Sequence, residues 1–375
     1  MAVGAATLAG MADREPSALD LLPGAAVTLG AALGGSDRSA VRRGRATRPD
    51  GSAADVVVKT FDDPAAWARE VAALTVLPDH APVPRLLAAH ADPPTAVMSH
   101  LDGGGSVADA LLGGSAAAAA GAAVLDWARA LADLHAAGLG ARAAYAAAHR
   151  ARGGAAEVPL TSLAGRVPAA IADLAAACAP LGVDVPDALA GAFRAEAARL
   201  DRPGAAALSP GDVCPDNNVV TPDGVRLVDF EHAEWRHVAW DAAYLLVPWP
   251  TCWCAWRLPD ALAAAAVARY RAVLAPHLPY VATDAFDRDL AAAAGLWSVL
   301  YSSWFLPLTL AGDPVAADGL PAPRRRALLL HRLATSERRT AVPVIADFAG
   351  RLRAALVGRW GEVPLPLAPA LAGGA

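Results

Sequence analysis

The alternation of apolar and polar positions divides the chain into two parts of different character. Between residues 25 and 100, β-branched runs such as AAVTL and DVVVKTF alternate with the turn sequences LGGSD and RPDG. Such runs are typical of strands joined by tight turns. In the same region, PAAWAREVAALTVL repeats apolar residues at three- and four-residue spacing, which predicts a helix. We therefore expect a small antiparallel sheet with one helix.

Beyond residue 100 the pattern is that of Ala-rich helices separated by Gly and Pro turns, and only VRLVDF at 225–230 has a strand pattern. The uncharged stretch 290–312 is long enough to cross a bilayer, but a helix buried on every side in a helical domain has the same pattern. We favour the buried helix. The predicted organisation is an N-terminal extension at 1–24, a sheet domain at 25–100 and a larger helical domain at 101–375.

Charge and cysteine content narrow the function. A net charge of -5 and a pI near 6.0 disfavour nucleic-acid binding, which needs a basic face. The four cysteines lack the spacing of a disulfide framework, and the N-terminus has no basic region before its apolar residues. These features predict a cytoplasmic protein that binds neither nucleic acid nor membrane. They do not predict its oligomeric state.

Three residues stand out against a composition that replaces lysine by arginine and avoids carboxamides. Lys59 is the single lysine, Asn217 and Asn218 are the only asparagines, and the chain has no glutamine. Lysine is a compact point charge that reaches phosphate oxygens, and an asparagine carbonyl is a neutral ligand for a hard cation such as Mg²⁺. These residues therefore direct attention to phosphate and metal chemistry.

Eight segments in a fixed order carry a family resemblance. They are VVVKTF, REVAAL, VPRLLA, AVMSHLDG, WARALADLHAAGL, GDVCPDNNVV, VRLVDFEHAEW and WDAAYLL. These segments occur in this order across roughly residues 25–310. In them the chain resembles the aminoglycoside phosphotransferase and choline kinase family of the protein-kinase-like fold. The resemblance implies an α+β, two-lobe architecture: a small antiparallel-sheet N-lobe with one helix, and a larger, mainly helical C-lobe.

The resemblance also implies a chemistry, namely transfer of the γ-phosphoryl group of ATP, with Mg²⁺, to a hydroxyl of an antibiotic-, sugar- or amino-alcohol-like small molecule. Asp212 and Asn217 match the D-x-x-x-x-N spacing of the catalytic loop, so Asp212 would accept or orient the acceptor proton. Asn217 and Asp229 would bind Mg²⁺. Asn218 is expected to bond to the loop backbone. The resemblance also implies the nucleotide-binding residues. Lys59 would contact the phosphates, and Glu70 would orient Lys59. Gly34, Gly35 and Ser36 would cover the phosphates, and Met98 and His100 would lie in the hinge-like segment.

Asp241 resembles the family's structural aspartate, which caps the following helix and braces the catalytic loop. Two features depart from the family pattern. Pro210 stands where the family usually has a histidine, two residues before Asp212, and the glycines after residue 29 do not fit G-x-G-x-x-G. The first departure leaves a catalytically silent nucleotide-binding module as the alternative to an active kinase.

Segment 249–259, WPTCWCAWRLP, permits two further interpretations. Cys252 and Cys254, joined by Cys214, His232 or His237, permit a metal site, but C-x-C alone is weak evidence and buried cysteine among tryptophans is an ordinary core composition. The aromatic residues could line an acceptor pocket, although we expect most of them to be core. They are Trp249, Trp253, Trp256, Trp297, Tyr301 and Trp304.

Overall fold

The computed structural model describes residues 21–36, 38–113, 115–154, 163–252, 254–312 and 323–374. Within them the chain divides into two compact units: one contains the residues up to Trp67 with Arg85–His100, and the other contains Ala68–Pro84 with the residues from Leu101 onward. The expected N-terminal extension lies almost entirely outside the described residues. The architecture is the predicted α+β fold, with a small antiparallel sheet in one unit and a mainly helical second unit.

The first unit is a five-stranded antiparallel sheet in the order β1-β2-β3-β5-β4. Its strands are β1 (Ala26–Ser36), β2 (Ser39–Thr47), β3 (Ala53–Phe61), β4 (Leu86–Ala91) and β5 (Pro94–Ser99). The predicted strands and the turn at RPDG are confirmed, the turn being closed by a bond from Gly51 N to Arg48 O of 2.9 Å. Val56 and Val58 of β3 pack with Ala46 and Val97 in the core of this unit.

The predicted helix is α1 (Pro64–Val76), whose last nine residues belong to the second unit. The helices of the second unit are α2 (Val107–Leu112), α3 (Ala117–Gly138), α4 (Arg142–Arg150), α5 (Leu163–Cys178), α6 (Asp187–Leu200), α7 (Ala239–Ala242), α8 (Asp260–Leu274), α9 (Asp284–Ala311), α10 (Arg325–Arg339) and α11 (Pro343–Trp360). Helix α3 packs on α8, and α10 packs on both α9 and α11. The core of this unit includes an edge-to-face pair of Trp240 and Trp297 with ring centroids 5.4 Å apart.

Helix α9 contains the uncharged stretch. Among the described residues it is the one helix long and apolar enough to span a bilayer, and 78% of its apolar window is buried inside the protein. Seventeen of its residues are buried, on every side of the helix. The expectation of a core helix is therefore confirmed.

The second unit has more strand than the sequence predicts. Strands β6 (Ala206–Ser209) and β9 (Glu234–His237) pair with each other, as do β7 (Asn218–Thr221) and β8 (Gly224–Leu227). The prediction of a single strand through VRLVDF is wrong in extent, because β8 ends at Leu227. All four strands have only four residues, too few for a clear alternation of apolar and polar positions. Two antiparallel pairs thus frame the loop that carries Asp212.

Candidate active site

The loop between β6 and β7 is shaped by its first residues. Gly211 has φ +83°, and a Cβ built on it would lie 1.9 Å from the carbonyl oxygen of His232. Only glycine fits this close approach without displacement of the backbone. Ser209 Oγ accepts a hydrogen bond of 2.9 Å from Gly211 N and also bonds to the carboxylate of Asp241. Ser209, the neighbour of Pro210, therefore connects the loop to Asp241 through hydrogen bonds.

Asp212 is held by one side chain from a distant segment and by a backbone amide of its own loop. Its Oδ1 accepts hydrogen bonds from Thr251 Oγ1 at 2.6 Å and from Cys214 N at 3.3 Å. Thr251 Oγ1 also lies 2.9 Å from Tyr244 OH and 3.1 Å from Cys214 Sγ. Tyr244 is fully buried. The orientation of the Asp212 carboxylate is thus fixed from two sides by hydrogen bonds to one oxygen.

Asn217 and Asp229 are joined to Asp212 through the backbone. Asn217 Nδ2 donates to Asp212 O at 3.2 Å, and Val228 N donates to Asn217 O at 3.1 Å. Asp229 follows with φ 65° and precedes the fully buried Phe230. A left-handed conformation is uncommon for a residue other than glycine and persists only where the surroundings impose it. The amide and carboxylate oxygens of Asn217 and Asp229 are the donor types that Mg²⁺ takes, so these residues fit that cation.

Asn218 has the backbone role expected of it. Its Nδ2 donates to Pro215 O at 2.9 Å, and its Oδ1 accepts from Val107 N at 2.9 Å. The first bond closes the loop and the second joins it to the N-terminal end of α2. Asn218 is 3% exposed, and both ends of its amide are paired, as buried polar groups must be.

A cluster of buried side chains supports the loop that carries Asp212. This Asp241 cluster consists of Asp241, His135, Arg236 and Tyr270. Asp241 Oδ2 lies 2.8 Å from His135 Nε2, Oδ1 accepts from Arg236 Nη2, and His135 Nδ1 lies 2.7 Å from Tyr270 OH. Burial would raise the pKa of Asp241, but the Arg236 charge and the His135 hydrogen bond outweigh it and lower this pKa to about 2.

The expectation that Asp241 caps a helix is wrong. Asp241 lies inside α7, and the residue at the N-cap is Val238, which makes no side-chain cap. Helix α7 has four residues and runs directly into a 3₁₀ turn. The amides at its start would bond to the Asp241 carboxylate less strongly than a charged guanidinium does. Asp241 instead bonds to Arg236 and His135, and its bond to Ser209 connects it to the loop that carries Asp212.

The remaining predicted site residues lie in the first unit, apart from Glu70. Lys59 is 4% exposed on β3, on the face opposite Val56 and Val58, and its Nζ lies 4.7 Å from the ring centroid of Phe61. Gly34, Gly35 and Ser36 end β1, Met98 is buried on β5, and His100 follows β5 with its N bonded to Asp55 O at 3.4 Å. Glu70 is 1% exposed on the part of α1 that belongs to the second unit.

Cysteines and a carboxylate form a second cluster next to Asp212. In this thiol cluster the side-chain ligand atoms of Cys214, Asp216 and Cys252 all lie within 4.8 Å of one another. Cys252 Sγ donates to Asp216 Oδ1 at 3.3 Å and lies 2.7 Å from Cys254 Sγ. Burial is the largest cause of the rise in the pKa of Asp216 to about 8.

The two histidines considered from the sequence are not members of this cluster. His237 Nδ1 accepts from Ala239 N at 3.1 Å and its ring packs edge-on against Tyr280, while His232 Nε2 is 3.6 Å from Glu231. Asp216, which the sequence did not single out, takes their place. It lies two residues after Cys214 and next to Asn217, so its neighbours in sequence were the only available signal.

Most of the aromatic residues considered for an acceptor pocket are core, as expected. Trp249, Trp297 and Tyr301 are at most 5% exposed, and Trp256 is partly buried. Trp304 is the exception, with 41% of its surface exposed. Trp253 lies outside the described residues.

Sequence reasoning missed three supporting residues, Thr251, His135 and Arg236. Thr251 is 39 residues from Asp212, and His135 is 106 residues from Asp241, so only the tertiary fold brings them together. A signal existed for His135, a lone polar residue on the apolar face of α3, and for Arg236, a charge at an inward position of a short strand.

Comparison with known proteins identifies a family for the chain. The model of the phosphotransferase enzyme family matches residues 30–295 of the 375. No curated protein matches the chain. The chain is similar to the solved structure of macrolide 2'-phosphotransferase MphH from Brachybacterium faecium, with 20% identity, 87% of this chain and 96% of that chain covered, and a TM-score of 0.40.

The chain is also similar to two solved structures that are named as kinases. The choline/ethanolamine kinase family protein from Mesorhizobium loti is 17% identical, with 87% of this chain and 92% of that chain covered and a TM-score of 0.46. The ethanolamine kinase from Plasmodium vivax is 11% identical, with coverages of 87% and 84% and a TM-score of 0.49. Since the family model spans most of the chain and includes the loop that carries Asp212, the chain belongs to the phosphotransferase enzyme family.

Proposed function

We propose that the chain is an ATP- and Mg²⁺-dependent kinase that transfers the γ-phosphoryl group to a hydroxyl of an antibiotic-, sugar- or amino-alcohol-like small molecule. The observation that carries this proposal is the connection of three residues in one loop system: Asn217 bonds to Asp212, and the residue before Asp229 bonds to Asn217. A base and two oxygen ligands are the parts that phosphoryl transfer requires, because the reaction depends on positioning and charge neutralisation.

Asp212 is the proposed base. Among the described residues, both hydrogen bonds to its carboxylate fall on Oδ1, so Oδ2 is the proposed proton acceptor. The acceptor hydroxyl would donate its proton to Oδ2 as its oxygen bonds to the γ-phosphorus and the bond from that phosphorus to the β-γ bridging oxygen breaks. The bond from Thr251 holds the carboxylate in one orientation during this transfer.

Asn217 and Asp229 are the proposed Mg²⁺ ligands. The bond from Asn217 Nδ2 to the loop backbone fixes which amide atom is the oxygen, and the left-handed backbone at Asp229 sets the direction of its carboxylate. When bound, Mg²⁺ would neutralise charge on the phosphate oxygens. A hard cation suits this pair because both ligands supply oxygen.

Lys59, in the first unit, is proposed to contact the phosphates. Glu70, in the second unit, is proposed to orient Lys59. A lysine that is 4% exposed on a strand carries a charge that is costly to bury without a function or a partner. The main-chain amides of Gly34, Gly35 and Ser36 would cover the phosphates, and Met98 and His100 would contact the rest of the nucleotide.

The test is Mg²⁺-dependent ATP turnover by the full chain against a panel of hydroxylated small molecules. Asp212→Asn keeps the shape of the side chain but removes the base, so we expect turnover to fall by about 10²- to 10⁴-fold. The matched control is Asp223→Asn, an exposed carboxylate in the turn between β7 and β8, which should leave turnover unchanged.

Two results would contradict the proposal. Turnover that survives Asp212→Asn would remove Asp212 from the role of base. ATP binding without phosphorylation of any acceptor class in the panel would favour the alternative, a catalytically silent nucleotide-binding module.

A further inference from the structure

The thiol cluster is not used by the proposed phosphoryl transfer, although it adjoins Asp212. Cys214 and Asp216 lie on the catalytic loop, and Cys252 lies in the segment that carries Thr251. Cys214 is 2% exposed, while Asp216 and Cys252 are partly exposed. The cluster is therefore enclosed on one side and accessible to a small ion on the other.

The donor set selects a class of ion. Two thiols with one carboxylate match the soft and borderline divalent cations, Zn²⁺ above all, whereas Mg²⁺ takes oxygen ligands. In a tetrahedral zinc site with Zn–S bonds of about 2.3 Å, two sulfurs lie about 3.8 Å apart. The ligand atoms here lie within 4.8 Å of one another, so side-chain shifts of about 1 Å bring them to that geometry.

The thiol proton of Cys252 occupies the place that an ion would take. Cys252 Sγ donates to Asp216 Oδ1 at 3.3 Å, so the proton lies between two of the three candidate ligands. Binding of a divalent ion would release the protons of Cys214 and Cys252, because thiolates are the ligands. A water would complete the four ligands, or the sulfur of Cys254 would do so after moving about 1 Å away from that of Cys252, which is now 2.7 Å distant.

The charge of Arg332 independently favours an anionic site. Arg332 is 3% exposed and donates to the carbonyl oxygens of Pro248 and Trp249 at 3.3 Å, with its guanidinium 4.4 Å from the ring centroid of Tyr301. Its charge also interacts with Cys214 and Cys252. Two thiolates, one carboxylate and one divalent ion have a net charge of about -1, which this buried guanidinium balances.

We propose that Cys214, Asp216 and Cys252 form a binding site for Zn²⁺ or a similar thiophilic divalent ion, separate from the hard-cation site of Asn217 and Asp229. The ion would link the catalytic loop to the residues around Cys252. Since Thr251 among these residues bonds to Asp212 Oδ1, the link would stabilise the position of the proposed base.

The test is an anaerobic Co²⁺ titration of the reduced, chelator-treated full chain, with excess Mg²⁺ present to occupy sites made of oxygen ligands. We expect one Co²⁺ per chain, a sulfur-to-cobalt charge-transfer band in the near ultraviolet, and displacement of the band by Zn²⁺. Cys252→Ser and Cys214→Ser should each weaken binding at least tenfold and reduce the band. Cys178→Ala, which alters a buried cysteine at the end of α5, is the matched control and should bind as the native chain does.

A second measurement needs no variant. Zn²⁺ should protect Cys252 from alkylation, as mapped by mass spectrometry, whereas Mg²⁺ should not. The proposal is overturned if the native chain binds no Co²⁺ in stoichiometric amount, if Cys252→Ser binds with native affinity, or if Zn²⁺ leaves alkylation of Cys252 unchanged. None of these outcomes depends on kinase activity, so failure here leaves the proposed function intact.

Discussion

Two clusters of buried polar side chains connect to the loop that carries Asp212, and they differ in how their members are paired. In the Asp241 cluster, both carboxylate oxygens of Asp241 accept hydrogen bonds from protein donors, and Arg236 supplies the opposite charge. In the thiol cluster, two weakly bonding thiols face one carboxylate, and the buried guanidinium of Arg332, whose charge interacts with both thiols, bonds to backbone carbonyls.

The difference teaches what each cluster contributes. An ionic cluster whose carboxylate is paired at both oxygens keeps its geometry, because removal of one member leaves a buried charge with fewer partners. Its connection through Ser209 therefore gives the loop a rigid base. The thiol cluster is the proposed ion site and lies beside Thr251, whose hydroxyl bonds to Asp212. One cluster supports the loop, and the other is proposed to bind an ion.

Breaking the Asp241 cluster should have the largest effect on stability. Asp241→Ala leaves Arg236 buried with Glu234 as its remaining carboxylate partner, so we expect a loss of about 3 to 5 kcal/mol in the free energy of unfolding. Denaturant titration measures this loss. Asp79→Ala, at an exposed position, should change stability by less than about 0.5 kcal/mol.

The lowered pKa of Asp241 predicts that the free energy of unfolding depends on pH. The pKa of Asp241 is about 2 in the folded chain against a reference of 3.8, so its contribution is fully present above pH 3.8 and is lost as the pH falls through 2. The difference in stability between the native chain and Asp241→Ala should therefore shrink between about pH 4 and pH 2. A difference independent of pH over this range would contradict the ionised pair.

Gly211→Ala should have the next largest effect. The added Cβ meets the carbonyl oxygen of His232 in a backbone with φ +83°, so the loop must move, at a cost of about 2 to 3 kcal/mol and with loss of turnover. Gly182→Ala separates the two causes, because Gly182 has φ +63° with nothing within 4 Å of the new Cβ. We expect about 1 kcal/mol there and unchanged turnover. Equal effects at the two glycines would show that the contact with His232 is unimportant.

Thr251→Val should have the smallest effect. It preserves the shape of the side chain but removes the hydrogen bond to Asp212 Oδ1, and a bond to a charged group contributes about 1.5 kcal/mol or more, so kcat should fall about tenfold. KM for ATP should change little, because Thr251 orients the base. Thr251→Ser keeps the hydroxyl and should restore kcat. An unchanged kcat in Thr251→Val would remove Thr251 from the mechanism.

The sequence predicted the first unit better than the second because the two units signal differently. Strands such as VVVKTF have enough β-branched residues between Gly and Pro turns to be recognised without tertiary information. The strand Ala206–Ser209 has four residues, two of them alanine, and takes its conformation from pairing with Glu234–His237. Its existence depends on a partner that is distant in sequence.

The candidate site divides in the same way. Asp212, Asn217 and Asp229 lie within one segment of 18 residues, so the rare asparagine and the spacing of the two aspartates around it mark them in the sequence. Thr251 and Asp216 have no such mark, because threonine and aspartate are common and their meaning comes from Asp212 and Cys252 beside them in space. Asp241 was recognised as structural, but its bonding partners could not be known before His135 and Arg236 were located.

The central claim is that the loop of the second unit holds the divalent cation used in phosphoryl transfer. It is tested most directly by Mn²⁺ binding, followed by electron paramagnetic resonance, to the full chain with a non-hydrolysable ATP analogue. Manganese takes the same oxygen ligands as magnesium. Asp229→Asn removes one charged ligand and should weaken Mn²⁺ binding at least tenfold, whereas Asp223→Asn should not change it. Native Mn²⁺ affinity in Asp229→Asn would contradict the claim.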